Sequence, residues 1–219
     1  MAGGIRIMKK KGCNSFDDMD CSTSKPVEEF NCSSNNRGQR DLTLGALVFY
    51  YIDEHRDRMK RYFRHYNRQT LNDAIRIAAL CVLPGGKRHG HQRRIIQPAL
   101  DESARRLLDV QDEIKMCRDF EDLRGFVDST IKNIRGIGTL TIYDISLRIG
   151  AKLGLYPKAV YLHRGVISGA KALGLNYRQK SIPIEDIPEP ISSSLEPYEI
   201  EDFLCICKEE LGDISLQNT

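Results

Sequence analysis

The sequence predicts an all-α protein, and three observations support this prediction. Apolar residues recur at helical spacing in successive segments from residue 41 onward. Capping residues, glycines and prolines separate those segments. No segment shows the sustained alternation of apolar and polar residues that a half-buried strand would show. We therefore expect amphipathic helices joined by short connections.

The chain divides into three segments by composition. Residues 1–40 are rich in Ser, Asn, Gly and charge, show no hydrophobic period, and are predicted to be a disordered basic and polar tail. Residues 41–180 are predicted to form the helical domain. Residues 181–219 are predicted to be a proline-rich loop and an acidic C-terminal helix packed on the same domain.

The first half of the helical domain opens with a predicted N-cap at Thr43. Segment 55–68 continues that helix or forms a second one. Thr70 begins a sequence that resembles a capping box, and the helix that follows it stops at the Pro-Gly-Gly of residues 84–86. Pro98 then opens another helix.

Aromatic residues are interleaved with six basic residues in segment 55–68. Such aromatics can stack on unpaired bases. The spacing of Tyr62, Phe63 and Tyr66 is also that of the buried stripe of an amphipathic helix, and we favour this interpretation.

The second half begins with Asp119 as the predicted N-cap of a helix. A Gly-Ile-Gly sequence at 136–138 separates that helix from the next, which is predicted to end before Gly154. Pro157 is predicted to lie in the first turn of a further helix that runs to Leu173.

Glycines and prolines also mark the C-terminal part. Gly165 and Gly169 predict close packing of their helix against a neighbour, for which we expect the hairpin helix after residue 138. Four prolines between residues 182 and 197 predict a loop, and Pro197 starts a last helix that Gly212 is expected to end. The first turn of this helix is acidic, which suits a helix N-terminus.

The charge is distributed unevenly along the chain. Residues 181–219 carry ten acidic side chains and one basic, a net charge of −9, whereas residues 1–180 carry +12. A basic body favours a polyanionic partner. No apolar run predicts a membrane span or a signal peptide, and the seven cysteines include no CxxC pair. We expect reduced thiols and a cytoplasmic or nucleoid-associated protein, nuclear in a eukaryote.

The Gly-Ile-Gly sequence predicts a tight hairpin between two helices. Gly136 and Gly138 can take positive φ angles, while Ile137 can turn inward to the core. The backbone N–H groups that begin the next helix, at Gly138 and Thr139, would then face a ligand together with the positive end of the helix dipole. This arrangement suits a phosphate, and it carries no base specificity.

The stretch IRGIGTLTIYDI resembles the helix-hairpin-helix motif of DNA-binding proteins. The matching positions are Ile134, Gly136, Ile137, Gly138 and Thr141, within a region of about 120–153. The resemblance implies that the hairpin backbone binds a DNA phosphate. It also implies a monovalent cation at the backbone of Ile134 and Gly136, with no other metal and no cofactor.

A wider resemblance is to the helix-hairpin-helix DNA glycosylases. When the two glycines are aligned, Leu140 takes the place of the catalytic lysine of the bifunctional enzymes, and Tyr161 that of the catalytic aspartate. His163 follows, as a histidine does in some members. The resemblance therefore implies the fold and DNA binding, but not ordinary base excision. Tyr161, His163 and Asp144 are the candidate catalytic residues, and whether the chain is an enzyme stays open.

A basic loop, GKRHGHQRR, occupies residues 86–94. It contains two histidines and no acidic residue, and its four cations are Lys87, Arg88, Arg93 and Arg94. Phosphate contact is the favoured function, and a solvated loop is the main alternative. The histidines are two residues apart, which is too close for a helical metal pair.

We therefore predict a DNA-binding protein that contacts the phosphate backbone without strong sequence specificity, in DNA repair or processing. Residues 136–139 would be the anchor and residues 87–94 the clamp. One alternative is a divergent glycosylase-like enzyme acting on a damaged or modified base, in a pocket walled by Tyr161, His163 and the 70–94 region. The other is a protein-interaction module whose acidic C-terminal helix binds a basic partner.

Overall fold

The structure is a computed structural model, and it describes residues 43–83 and 86–217. This part of the chain is mostly helical, as predicted, with one two-stranded antiparallel sheet. The predicted tail at residues 1–40 lies outside the described residues. Within those residues, no helix is both long and apolar enough to cross a bilayer.

The elements follow one another in a simple order. A short π-helical stretch, Ile52–Arg56, joins the first two helices, so segment 55–68 continues the first helix. The helices are α1 (Leu44–Tyr51), α2 (Asp57–Asn67), α3 (Leu71–Ala79), α4 (Gln97–Asp109), α5 (Gln111–Lys115), α6 (Phe120–Ile131), α7 (Thr139–Leu153), α8 (Arg164–Ala172), α9 (Ile191–Ser194), α10 (Pro197–Ile206) and α11 (Lys208–Gln217), and the strands are β1 (Ala159–Tyr161) and β2 (Ser181–Pro183).

Three predicted N-caps are confirmed by their hydrogen bonds. The side-chain oxygens of Thr43, Thr70 and Asp119 each accept from the backbone N–H three residues later, at 3.2, 3.1 and 2.8 Å respectively. Each bond satisfies a donor that has no acceptor within its own helix. The C-terminus of α7 is also as predicted: Gly154, which follows the helix, takes the left-handed conformation with φ of 74°.

The prediction of a helix from Pro157 to Leu173 is wrong in its first part. Residues 159–161 form β1, which pairs with β2 so that Val160 lies opposite Ile182. The helix starts only at Arg164. A strand of three residues is too short to show alternation, and its pairing partner lies twenty residues further along the chain.

The last predicted helix is divided in two. α10 ends at Ile206, and α11 continues through Gly212, which therefore does not end the helix. Leu211 of α11 is fully buried. The burial of this side chain outweighs the low helix propensity of the neighbouring glycine.

Buried apolar residues form two clusters. The main core joins α2–α7 and contains the three aromatic residues of segment 55–68, which confirms their prediction as a buried stripe. The second core joins α1, α8, α10, α11 and the sheet around Tyr51 and Phe203. Helices α7 and α10 lie along the boundary between the two cores, where they line a common cleft.

The close packing predicted from Gly165 and Gly169 is present, but its partner is α10 rather than α7. A β-carbon at Gly169 would lie 2.2 Å from the Leu204 carbonyl oxygen, and one at Gly165 would lie 2.6 Å from Cys205 Sγ. The two glycines therefore allow the backbones of α8 and α10 to approach closely.

Candidate functional site

The turn between α6 and α7 has the predicted hairpin shape. Ile137 is buried and points toward the main core, and its N–H donates to the Ile134 carbonyl at 3.1 Å. Gly136 has a φ of 96°, as predicted. The prediction of a positive φ is wrong for Gly138, whose φ of −106° and ψ of 174° are those of an N-cap residue.

The N-terminus of α7 is open to solvent. Gly136, Gly138 and Thr139 are exposed, and a β-carbon built at either glycine would meet nothing within 4 Å. Gly138 provides no side-chain cap, in contrast to Thr43, Thr70 and Asp119 at their helices. The first N–H groups of this 15-residue helix have no intrahelical acceptor and face the outside.

The basic loop lies against the same helix. The Gln92 side-chain amide donates to Asp144 Oδ2 of α7, which brings the loop to the second turn of that helix. Lys87, Arg93 and Arg94 are exposed. The predicted clamp thus contacts the helix whose first turn follows the predicted anchor.

Arg88 differs from the other three cations of the loop. It is half-buried, and it donates to the Ile95 carbonyl at 2.8 Å and to the Gln97 side chain. Its guanidinium therefore holds the two ends of the loop together. The remaining three cations account for the exposed positive charge of the loop.

A cleft of about 60 Å³ lies where α7 meets α10, beside the hairpin. A cavity of this size holds only a few water-sized groups. It is too small for a whole nucleobase, since ligand pockets usually measure roughly 300–1,000 Å³. Its lining combines apolar and polar side chains from five parts of the chain: Met59, Tyr62, His89, Gln92, Leu140, Tyr143, Asp144, Leu147, Arg148, His163, Tyr198, Glu201, Asp202 and Cys205.

Arg148 is the centre of a buried network on one wall of the cleft. It is 3% exposed, and it donates to Tyr62 Oη at 2.6 Å, to the Ala78 carbonyl at 3.3 Å and to Gln92 Oε1 at 3.3 Å. Asp144 lies 3.6 Å from it, one helical turn away. Arg148 was not among the predicted site residues, although an Asp and an Arg four residues apart in a largely apolar helix are the signal of an ion pair.

The opposite wall carries a carboxylate–imidazole pair. His163 Nε2 lies 2.7 Å from Glu201 Oε1. Burial alone would lower the pKa of His163, but the hydrogen bond and charge of Glu201 outweigh it and raise that pKa. Burial raises the pKa of the Glu201 carboxyl, against the opposing effect of His163. Glu201 was not among the predicted site residues, because 38 positions separate it from His163.

Two buried polar atoms at this wall have no hydrogen bond of normal geometry within the described part of the chain. They are Glu201 Oε2 and the Tyr143 hydroxyl. Tyr143 is 4% and Glu201 6% exposed, and both line the cleft. Each group is nonetheless the other's partner. The charge and hydrogen bond of Glu201 raise the pKa of Tyr143 after the larger effect of burial, and the Tyr143 hydroxyl in turn acts to lower the pKa of Glu201.

Asp202 adds a pH-sensitive group next to this pair. Burial raises the pKa of its carboxyl to about 7, against the opposing effects of the Arg58 charge and of the Tyr51 hydroxyl, which donates to Oδ2 at 3.1 Å. A folded-state pKa above the unfolded value means that this carboxyl stabilises the fold in its protonated form. That contribution is present below about pH 4 and is lost as the pH rises through 7.

We therefore expect Asp202→Asn to become more stable relative to the wild type as the pH rises. Between pH 5 and pH 8 the difference in unfolding free energy should shift by about 2–3 kcal/mol in favour of the variant. Urea denaturation at several pH values measures this difference. The exposed Glu209→Gln on α11 serves as the control, and equal pH profiles for all three proteins would contradict the role of Asp202.

Tyr161 lies away from the cleft. Its hydroxyl donates to Glu121, the Arg124 guanidinium lies 4.6 Å from the ring centroid, and the ring packs against Tyr143 at 5.1 Å. Of the three candidate catalytic residues, Asp144 and His163 line the cleft and Tyr161 does not. Leu140, at the position matched to a catalytic lysine, lines it as well.

The acidic residues of α10 are engaged within the chain. Glu199 accepts from Arg56 through both oxygens at 2.9 Å, while Glu201 and Asp202 are bound to His163 and Tyr51. These three carboxylates are buried and do not face a partner. The carboxylates of α11 lie nearer the surface.

Metal-binding side chains do not converge in the described part of the chain: it contains no group of three or more His, Cys, Asp or Glu residues placed to hold a metal ion. Comparison of the whole chain with protein-family models, with curated proteins and with solved structures gives no match.

Proposed function

We propose that the protein binds DNA through its phosphate backbone, with the hairpin at residues 136–139 as the anchor and the basic loop as a second contact. The observation that carries this proposal is the open N-terminus of α7, where uncapped N–H groups face solvent beside exposed cations. A phosphate accepts from such N–H groups and is attracted by the helix dipole. These contacts do not read bases, so sequence preference should be weak.

The side chains around the turn support this role. Arg135 is exposed next to Gly136, and Lys132 is exposed one turn earlier with a 3.6 Å contact to Asp128. The Ile134 carbonyl accepts the Ile137 N–H, and a carbonyl has a second lone pair. That lone pair and the Gly136 carbonyl are the groups that would hold a monovalent cation.

Gly138→Asp is the variant that tests the anchor most directly. Gly138 has extended backbone angles that any residue adopts, and aspartate is a favourable N-cap. The new carboxylate would accept hydrogen bonds from the N–H groups that would otherwise bind a phosphate, and its charge would repel DNA. We expect the affinity for a 20–30 base-pair duplex, a length of about two to three helical turns, to fall about 10-fold or more, with stability unchanged or higher.

Thr43→Asp is the matched control, because it places the same charge at the N-cap of α1. Its affinity should stay within about twofold of the wild type. For the wild type, the logarithm of the binding constant should fall with the logarithm of salt concentration by about 0.9 for each phosphate neutralised. Equal binding by Gly138→Asp and the wild type would refute the hairpin as anchor.

A second candidate function is enzymatic action on a damaged or modified base. The observation that favours it is the convergence of Leu140, Asp144 and His163 at one cleft beside the hairpin. Release of bases from a panel of modified duplexes, scored as abasic sites, measures this activity. If the purified protein binds neither DNA nor RNA in a gel-shift assay at low salt, both candidate functions are refuted. The remaining alternative is then a protein-interaction module.

A further inference from the structure

We propose that the protein associates head to tail with a second copy of itself. An apolar groove with an acidic rim, between α5 and α6 of one molecule, receives the exposed tip of the basic loop (residues 94–96) of the next. The two surfaces are different patches of the same protein, so repeated contacts of this kind build chains or rings. This association does not depend on DNA binding.

The groove is an open depression of about 400 Å³ beside the first turns of α6. Its volume lies within the range of roughly 300–1,000 Å³ that is usual for ligand sites. Three apolar side chains and three carboxylates line it: Met116, Cys117, Phe126, Asp112, Glu113 and Asp122. The groove therefore offers apolar contact in its centre and negative charge around it.

Met116 is the most unusual side chain of the groove. It is 76% exposed, more than any other large apolar side chain in the part of the chain that the structure describes. Ile114 of the same short helix is fully buried in the main core and already anchors α5. Because the packing of α5 does not require Met116, its exposure suits contact with another molecule.

The rim gives this groove a charge opposite to that of the basic body. Residues 111–122 carry five acidic side chains and two basic, a net charge of −3, whereas residues 1–180 as a whole carry +12. Asp112 and Glu113 are exposed, and within the described residues neither forms an ion pair. These carboxylates also belong to no group placed to hold a metal ion in that part of the chain. The rim therefore favours a basic partner.

The tip of the basic loop has the matching chemistry. Ile96 is 63% exposed, and Arg94 beside it is exposed as well. Residues 86–97 carry four cations and no carboxylate. The Arg88 guanidinium donates to the Ile95 carbonyl at 2.8 Å, which fixes the backbone of the tip. An apolar side chain among cations thus stands ready for an apolar groove among carboxylates.

The exposed isoleucine does not stabilise its own helix. Ile96 occupies the N-cap of α4 and provides no side-chain cap. Isoleucine is among the poorest N-cap residues, and a serine or aspartate there would stabilise the helix. Burial of Ile96 against Met116 of a second copy would remove both side chains from water.

The positions of tip and groove decide between one molecule and two. Helix α4 begins immediately after Ile96 and ends at Asp109, two residues before α5. Its 13 residues span about 20 Å, so the helix keeps the two surfaces apart within one chain. A second copy can bring them together. The same loop is the proposed second contact for DNA, so a molecule joined through its loop loses that contact.

Sedimentation velocity of the full-length protein tests the association. Between about 5 and 200 μM at low salt, the weight-average mass should rise to at least about 1.5 times that of the monomer. It should return toward the monomer mass at about 0.5 M salt, because salt screens the charges of rim and tip. A wild type that stays monomeric over this range at low salt would overturn the proposal.

Replacing either apolar side chain tests the contact itself. Ile96→Ser and Met116→Ser should each weaken the association at least about 10-fold, because each removes a buried apolar side chain. Ile96→Ser should also be as stable as the wild type or more stable, since serine is a favourable N-cap. Phe49→Ser removes an exposed apolar side chain from α1 and should leave the association unchanged. Unchanged association of Ile96→Ser would contradict the proposed contact.

An exchange of charges identifies the occupant as a second copy. The groove variant combines Asp112→Lys with Glu113→Lys, and the loop variant combines Lys87→Glu, Arg93→Glu and Arg94→Glu. Each variant alone should be monomeric, because its groove and its loop carry charge of the same sign. An equimolar mixture should associate again, because each groove then meets a loop of opposite charge.

The control for these changes is Asp53→Lys with Glu54→Lys, an adjacent exposed pair away from the groove. It carries the same change in net charge as the groove variant and should associate like the wild type. Circular dichroism of each variant shows that it is folded. A mixture of folded groove and loop variants that stays monomeric would overturn the proposal, as would a groove variant that associates on its own.

Discussion

Replacing Arg148 by methionine is expected to lower the free energy of unfolding by about 3–5 kcal/mol, because it breaks a buried charged network from one side. Arg148 is 3% exposed, and its guanidinium contacts α2, α3, the basic loop and Asp144 of α7. Methionine fills a similar volume but donates no hydrogen bond. Asp144, whose side chain is 19% exposed, then keeps its charge with only the Gln92 amide as a donor. Urea denaturation gives the free energy.

Arg105→Met is the matched control on the surface. Arg105 has ion pairs with Glu102 and Asp109 at 2.8 Å, but its side chain is 60% exposed. Exposed ion pairs contribute little, so this change should cost no more than about 1 kcal/mol. If both variants lose the same free energy, the buried network does not hold the elements together as described. Removing Asp144 as well, with Arg148→Met and Asp144→Asn combined, should cost less than the sum of the single changes.

The Arg148 network also links stability to the proposed function. It ties the basic loop, through Gln92, to the helix that begins at the hairpin. Loss of the Arg148 bonds should therefore loosen the loop, which keeps its Gln92 contact to Asp144 of α7, and weaken duplex binding at low salt. The turn at residues 136–138 itself contains none of these contacts, so the proposed anchor would keep its geometry.

Local features of the fold were predictable from the sequence, since they depend on residues close together in the chain. The N-caps at Thr43, Thr70 and Asp119 and the turn at 136–138 follow from side-chain chemistry and glycine conformation within a few residues. The inward orientation of Ile137 follows from the helical pattern on both sides of it.

Features that depend on distant residues were not predictable in this way. The three residues of β1 become a strand only because residues 181–183 pair with them. The pair formed by His163 and Glu201 requires β1, α8 and α10 to meet, and no spacing in the sequence encodes that meeting. The acidic start of α10 serves the helix N-terminus as predicted, since Glu199 accepts the Glu196 backbone N–H at 3.0 Å. The buried contacts that Glu199, Glu201 and Asp202 make with Arg56, His163 and Tyr51 were not predictable from their spacing.

Gly169→Ala is expected to lower the free energy of unfolding by about 3 kcal/mol, because its β-carbon would lie 2.2 Å from the Leu204 carbonyl oxygen. That oxygen belongs to the backbone of α10, so relief requires the two helices to move apart. Urea denaturation of the variant and the wild type measures this difference in the free energy of unfolding. The same movement would draw His163, the N-cap of α8, away from Glu201.

Two other glycines provide the comparison. At Gly165 the added carbon meets Cys205 Sγ at 2.6 Å, the end of a side chain, so alanine should cost about 1 kcal/mol. At Gly125, an exposed position within α6, nothing lies within 4 Å, and alanine should add about 0.5–1 kcal/mol of stability through its higher helix propensity. If α8 and α10 are in backbone contact, the free energy of unfolding of the three alanine variants should decrease in the order Gly125, Gly165, Gly169. A Gly169→Ala protein as stable as Gly125→Ala would mean that the two helices are separated, and Glu201 would then have no fixed position at the cleft.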